Sequence, residues 1–329
     1  MKAVLCKEFG LPDSLVVEDI PSPKIKNAYV IVSVKACGVN FPDTLIIQGK
    51  YQYQPDFPFS PGAEIAGVVK EVGMDVSDIA IGDRVFAFIR SGGFSEEVLV
   101  PADKIFHMPE NMDFKTASAL IMTYGTSHYA LKYRAQLKPR ETLLVLGAAG
   151  GVGLAAVELG KIMGARVIAS ASTDDKLMVC ERSGADELIN YTTQDLRAAI
   201  SQITNDKGVD VVCDPVGGEI TERALRSTSW KGRYMVIGFA SGEISKIALN
   251  LPLLKGNSIV GVFWSEFMQR EKKAYVCVVQ DLISWFLEGK LNPIVSKTYP
   301  LEQVNLALND IIQRRALGKI VLIPQHKIN

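Results

Sequence analysis

The segment Glu141-Thr142-Leu143-Leu144-Val145-Leu146-Gly147-Ala148-Ala149-Gly150-Gly151-Val152-Gly153-Leu154-Ala155-Ala156-Val157 decides how this chain is read. An apolar run too short for a helix of its own meets a glycine cluster, and a small-residue helical pattern follows: strand, tight turn, helix. This is the layout that binds a dinucleotide. Gly147 permits the turn, Gly150 lets backbone approach a pyrophosphate, and Gly153 allows the helix to pack closely on the strand. Gly151, Val152 and Gly153 then open the helix, whose N-terminal N–H groups face the phosphates. The spacing is Gly-x-x-Gly-x-x-Gly, with Ala149 where the usual fingerprint has its second glycine.

Working outward toward the C-terminus, the pattern repeats. Arg166–Ser170, Glu187–Asn190, Val209–Cys213, Arg233–Gly238 and Ile259–Phe263 read as strands, with helices at Asp174–Ser183 and Leu196–Thr204. Alternation of this kind specifies a parallel sheet covered on both faces. Ligand atoms then lie at the carboxyl ends of the strands, which brings Ser172, Asp214, Pro215, Gly238, Phe239 and Phe263 toward the cofactor. Toward the N-terminus the chain is β-rich. Short β-branched runs broken by Pro, Gly and Asp extend to about Leu120 and predict a compact, largely antiparallel domain of barrel-like or split-sheet type. Tyr129–Arg134 reads as a helix. After about Ser265 come amphipathic helices at Lys272–Leu287 and Val304–Gln313 and a strand at Lys319–Ile323, a tail expected to return to the N-terminal domain. The predicted division is thus 1–122 with 265–329 as one domain, and 123–264 as a cofactor domain inserted within it.

Composition narrows the class. The 329 residues suffice for two domains with substantial cores, and Lys plus Arg balance Asp plus Glu at 36 each, so charge gives no reason to expect a nucleic-acid partner. The five cysteines are scattered and lack Cys-x-x-Cys spacing, which fits a reducing compartment. No apolar stretch approaches the roughly 20 residues that span a bilayer. Met1–Leu5 reads as a first strand rather than a signal core, and a cytoplasmic protein is expected.

Taken together, Gly38-Val39-Asn40-Phe41-Pro42-Asp43, Pro61 to Val69, Gly82-Asp83-Arg84-Val85, Gly147 to Gly153, Gly184-Ala185-Asp186, Asp214 to Gly218 and Gly318 to Leu322 make a strong set. In this order and spacing the chain resembles the zinc-independent quinone oxidoreductase, or ζ-crystallin-like, branch of the medium-chain dehydrogenase/reductases. The resemblance implies an α/β fold in which a Rossmann doubly wound parallel sheet is inserted in a β-rich, GroES-like catalytic domain. It also implies a homodimer joined through an edge strand around Ile259–Phe263. Zinc-dependent relatives carry a Gly-His-Glu segment and a cysteine ligand; here Ala63 replaces the histidine and Asn40 stands in place of the cysteine, leaving Glu64 from the ligand set. No metal is predicted.

An acidic residue roughly 20 positions beyond the glycines normally binds the ribose of NAD. Ser172 holds that place, and Lys176 lies one turn into the next helix, so NADPH is favoured over NADH. Asp174 and Asp175 count against a phosphate site. The resemblance adds Tyr191 and Lys319 as contacts to the cofactor. It also makes Asn40, Tyr51 and Thr126 candidates to hold the acceptor oxygen, Asn40 and Thr126 serving equally as contacts to the nicotinamide or its ribose. Without a metal to polarise an isolated ketone, a conjugated acceptor that spreads the developing charge is the easier substrate. Reduction of a quinone or an α,β-unsaturated carbonyl is the leading reading. An enoyl-thioester reductase and a non-catalytic RNA-binding or crystallin role are the alternatives. Phe41, Tyr53 and Tyr124 are further candidates to flank a flat acceptor, because Leu45 stands where several bacterial relatives carry tyrosine. His107 and His128 are read as structural.

Overall fold

The structure, a computed structural model, describes residues 1–325. The chain divides into two units, Met1–Met122 with the segment from Pro293 onward, and Thr123–Asn292.

The first unit is built on strands β1 (Lys2–Leu5), β2 (Val16–Asp19), β3 (Tyr29–Val39), β4 (Glu64–Val72), β5 (Arg84–Phe88), β6 (Glu97–Pro101) and β7 (Ile105–His107). The second unit supplies β8 (Thr142–Leu146), β9 (Arg166–Ala171), β10 (Glu187–Asn190), β11 (Val209–Asp214), β12 (Thr228–Val236) and β13 (Ser258–Gly261), and the chain returns to the first with β14 (Val295–Pro300) and β15 (Lys319–Ile323). Helices in chain order are α1 (Phe41–Ile46), α2 (Phe114–Ala117), α3 (Ile121–His128), α4 (Gly151–Ile162), α5 (Asp174–Arg182), α6 (Leu196–Thr204), α7 (Ile220–Arg226), α8 (Asn250–Lys255), α9 (Trp264–Arg270), α10 (Lys272–Leu287) and α11 (Val304–Ile312).

In the second unit six parallel strands run in the order β10-β9-β8-β11-β12-β13. The order reverses direction between β8 and β11, the switch point at which such sheets bind ligands. Leu143–Leu146 are wholly buried because helices cover both faces, which is why β8 reads as continuous apolar sequence rather than an alternation. Small residues let α4 lie close: a Cβ on Gly160 would come within 2.7 Å of Leu143 Cδ2. Asp195 caps α6 by accepting the Ala198 N–H at 2.8 Å, a contact of about 1 kcal/mol. In the first unit the path is β14-β15-β3-β4-β5-β7, with β6 also on β3, and every pair is antiparallel except β14 with β15. Its core joins Val30, Val32, Val34, Ile65 and Phe94 to Leu301, Val304 and Leu308 of the returning tail.

Three expectations change. The tail rejoins the first unit after Asn292, not near Ser265, because α9 and α10 pack in the second. His128 Nε2 and Lys132 Nζ both reach Asp281 of α10, at 3.0 and 2.6 Å, and the Trp285 ring lies 5.5 Å from that of His128. Tyr129–Arg134 is a π-helix, with the Ala135 N–H reaching back to Ala130 O at 2.8 Å. A short helix, α1, also interrupts the β-rich region: six residues with Pro42 in the first turn carry too little periodicity to be seen in sequence.

Candidate active site

At the end of β8, Gly147 has φ +56°, a backbone conformation that favours glycine. No other residue of the turn has positive φ, so the Ala149 departure from the usual spacing costs no strain. A Cβ on Gly153 would stand 2.3 Å from Gly147 O, so only glycine lets α4 begin here. Over Gly150 the nearest atom to such a Cβ is Gly147 O at 3.4 Å, leaving the room a pyrophosphate needs against backbone. No acid occupies the first turn of the twelve-residue α4, where the exposed N–H groups and helix dipole favour an anion. The cradle fits a dinucleotide.

Ser172 and Tyr191 follow the ends of the neighbouring strands β9 and β10, and Lys176 lies in the first turn of α5. Lys176 Nζ donates to Ser172 Oγ at 3.1 Å, and the Tyr191 N–H donates to Ala171 O at 3.2 Å. Asp174 is not loose beside them. Its Oδ1 accepts the Asn190 side-chain amide at 2.7 Å.

Gly238, Phe239 and Phe263 follow β12 and β13 directly. Phe239 and Phe263 wall a cavity of about 470 Å³, together with Tyr129, Arg134, Phe267 and Arg270. Tyr129 stacks on Phe267 with ring centroids 4.1 Å apart, and Arg134 Nε donates to Gly261 O at 3.0 Å. Tyr129 and Arg134 are the two ends of the π-helix, a form common at functional sites. Sequence reading took this segment for an ordinary helix and singled out neither residue; the aromatics at Tyr129, Tyr133, Trp264 and Phe267 were the available signal.

Thr126 is buried on α3, and α3 is fastened to the cofactor helix on either side of it. Tyr124 Oη donates to Glu158 Oε2 at 2.6 Å, and Ser127 Oγ donates to Val152 O at 2.9 Å. Burial and the Glu158 carboxylate push the Tyr124 phenol well above its ordinary pKa. Tyr124, one of the candidates to flank an acceptor, is therefore a buried strut.

In the first unit the candidates form a closed polar cluster. Asn40 precedes α1, and Asp43 Oδ2 accepts its backbone N–H at 2.8 Å, so Asp43 both orients Asn40 and caps the helix. The Asn40 amide gives one N–H to Gly38 O and one to Glu64 Oε2, both at 3.2 Å, while its Oδ1 accepts Lys319 Nζ at 2.5 Å. Lys319 Nζ also donates to Glu64 Oε2 at 3.0 Å and to Val39 O at 3.3 Å. Glu64 Oε1 takes the Met122 N–H at 2.8 Å. Lys319, expected as a cofactor contact, thus has all three ammonium hydrogens committed within its own unit. Asn40, expected to hold an acceptor oxygen, has no amide hydrogen left to donate and keeps only carbonyl capacity for a ligand. Burial pushes the Asp43 carboxyl up to about 7, opposed by the Asn40 N–H and Lys319. Tyr51 and Tyr53 pack against the core of this unit, with the Arg90 guanidinium 5.2 Å from the Tyr53 ring. Among the described residues no three His, Cys, Asp or Glu side chains gather as a metal site would require.

Comparison with known proteins settles the family. Residues 26–110 match the alcohol dehydrogenase GroES-like domain, and residues 151–280 match the zinc-binding dehydrogenase family. Quinone oxidoreductase-like protein 2 of Bos taurus is 38% identical over 98% of this chain and 92% of its own length. The chain belongs to the quinone oxidoreductase branch of the medium-chain dehydrogenase/reductases. It is an enzyme of that type, an oxidoreductase using a nicotinamide dinucleotide. Escherichia coli quinone oxidoreductase, solved with NADPH, superimposes with a TM-score of 0.91 at 30% identity, covering 98% of this chain and 100% of that one. The CurK enoyl reductase has a TM-score of 0.89 at 26% identity, covering 98% and 99%.

Proposed function

We propose that this quinone oxidoreductase relative reduces quinones or α,β-unsaturated carbonyls with NADPH and without a catalytic metal. The observation that carries the reading is the state of Glu64. It is the one carboxylate left from the zinc ligand set, and its oxygens are taken by Met122 N–H, Asn40 and the Lys319 ammonium. An ammonium ion already balances its charge, and Asn40 and Ala63 offer neither thiolate nor imidazole.

When bound, NADPH supplies the hydride. The chain's own residues do the rest: backbone N–H groups from Gly151 to Gly153 hold the pyrophosphate, and Ser172, Lys176 and Tyr191 hold the adenosine phosphate. Phe239 and Phe263 line an aromatic cavity that accommodates a flat acceptor. Gly238 leaves backbone room beside Pro215, since a Cβ there would meet only Pro215 O at 3.4 Å and atoms beyond. Thr126 and Tyr51 are the hydroxyls assigned to the acceptor oxygen, and Asn40, through its carbonyl, to the nicotinamide or its ribose.

The likeness to an enoyl reductase supports an enoyl thioester as the second reading of the substrate. NADPH oxidation measured with phenanthrenequinone, benzoquinone, a simple enone and crotonyl-CoA separates the two. Turnover of a quinone or the enone after exhaustive dialysis against chelator is the expected result; activity lost to the chelator and restored by zinc defeats the metal-free reading. A role in RNA binding without catalysis predicts no oxidation in any arm and a gel shift at physiological salt.

The protein is assigned as a homodimer. β13 is an edge strand with an unpaired side, and Leu249, Leu253, Leu254 and Ile259 are exposed at or just before it. Sedimentation at the mass of a monomer would remove this assignment. The free cysteines fit a reducing compartment such as the cytoplasm.

A further inference from the structure

The phosphate-binding corner contains its own opponent. Asp174 stands two residues after Ser172 and two before Lys176, at the start of α5, where a carboxylate would repel the phosphate that Ser172 and Lys176 are placed to receive. The structure shows why this acid does not define the corner. Asn190, the last residue of β10, is 7% exposed and hydrogen-bonded at every polar atom. Its N–H donates to Gln194 Oε1 at 2.9 Å. Its Oδ1 accepts from the Thr192 N–H at 3.1 Å and from Thr192 Oγ1 at 2.6 Å. Two donors on Oδ1 fix which end of the amide is oxygen, so Nδ2 is the end that donates to Asp174 Oδ1 at 2.7 Å. Tyr191 opens the turn that follows the strand. The Asp174 carboxylate is therefore tied to the end of β10 rather than left free beside Ser172 and Lys176.

We propose that Asn190 is a specificity-determining residue: by restraining Asp174 it keeps the corner open to the 2′-phosphate and preserves preference for NADPH over NADH. The inference rests on the NADPH reading of the site. Asn190 touches no cofactor in this role; it acts through Asp174. Asp175, one position further, is turned about 100° around the helix and is not part of the restraint.

The test compares the wild type with Asn190→Ala, Asp174→Ala and the double variant. Selectivity is read as the ratio of kcat/KM for NADPH to that for NADH with one quinone, alongside the Kd of each cofactor by fluorescence titration and thermal melting of each protein. Asn190→Ala is expected to lower the ratio about tenfold, the scale of one exposed like-charge contact, by raising the Kd of NADPH while leaving NADH within about twofold. Asp174→Ala added to it restores the ratio. Asp174→Ala alone changes the ratio by less than about twofold, because a restrained carboxylate has little left to remove. The proposal is overturned if Asn190→Ala leaves the ratio unchanged. It is equally overturned if both cofactors weaken together without rescue by Asp174→Ala, or if Asp174→Ala alone raises the ratio tenfold. That last arm decides the matter even where Asn190→Ala does not fold. A wild type that shows no preference for NADPH overturns the cofactor reading itself, an outcome visible before any variant is made.

Discussion

In the second unit the turn after β8 is defined by what it lacks: without side chains at Gly147, Gly150 and Gly153 the first N–H groups of α4 stand clear, while the Gly150 N–H itself bonds Gly147 O at 3.0 Å. In the first unit the groups around Asn40 work by being complete. Asn40, Asp43, Glu64 and Lys319 are all buried and hydrogen-bonded to one another or to nearby backbone. One region offers unsatisfied donors to a ligand; the other has spent its donors on itself. The first therefore tolerates almost no added atom, and the second almost no removed charge.

The sharpest way to break this contrast is to add atoms to the turn. Gly153→Val places a side chain where a Cβ alone would stand 2.3 Å from Gly147 O and 2.7 Å from Ala148 Cα, both backbone. NADPH binding should vanish from a calorimetric titration, with the first unit's hydrogen-exchange protection unchanged. Gly150→Ala, whose Cβ meets only Gly147 O at 3.4 Å, should fold normally and lose about tenfold in NADPH affinity by crowding the pyrophosphate. Equal affinity in Gly153→Val and the wild type would mean that the turn does not hold the cofactor.

Removing a charge from the first unit is the complementary experiment. Lys319→Met leaves the wholly buried Glu64 carboxylate without its cation, and breaking one partner from such a pair costs about 3–5 kcal/mol. Adding Glu64→Gln should recover most of that loss, since replacing both charges is far cheaper than stranding one. Urea denaturation of the two variants checks this. A Lys319→Met protein as stable as the wild type, with weaker NADPH binding, would restore Lys319 to the cofactor contacts from which the geometry removes it.

The same contrast accounts for what could be read from the sequence. The cofactor turn is written in consecutive residues, where each glycine answers a local steric demand, so its strand–turn–helix form and the parallel sheet around it were legible. Asn40, Glu64 and Lys319 come from α1's cap, β4 and β15, and nothing in their spacing reveals that they share one hydrogen-bond network. Both the exhaustion of the Asn40 amide and the capture of Lys319 follow from that long-range meeting. The boundary near Ser265 failed for a related reason: the amphipathic pattern of α10 shows that one face is buried but not against which partner, and Asp281 and Trp285 find theirs in His128 and Lys132. Asn190 was hidden likewise, its restraint of Asp174 joining residues from two different elements.

The smallest effect separates the units by pH. Burial raises Asp43 from 3.8 to about 7, against the Asn40 and Gly62 N–H groups and Lys319, with Glu64 acting in the same direction as burial. Burial lowers His128 from 6.5 to about 4, although Asp281 favours its protonation, and Lys132 opposes it. Between about pH 4 and 7 folded Asp43 retains a proton that the unfolded chain has released, so its contribution is fully present below pH 4 and is lost as pH rises through 7. His128 has the opposite sign. Folded it is neutral while the unfolded chain binds a proton below 6.5, so its contribution is complete above 6.5 and is lost as pH falls through about 4. From pH 4.5 to 6.5, hydrogen exchange corrected for intrinsic rates should thus show the Asp43 term weakening protection in the first unit and the His128 term strengthening it in the second. Asp43→Asn should remove the first slope and leave the second, and His128→Gln the reverse. If Asp43→Asn leaves the first unit's pH profile unchanged, Asp43 is ionised throughout the window, and the closed cluster around Asn40 carries one more negative charge than its burial permits.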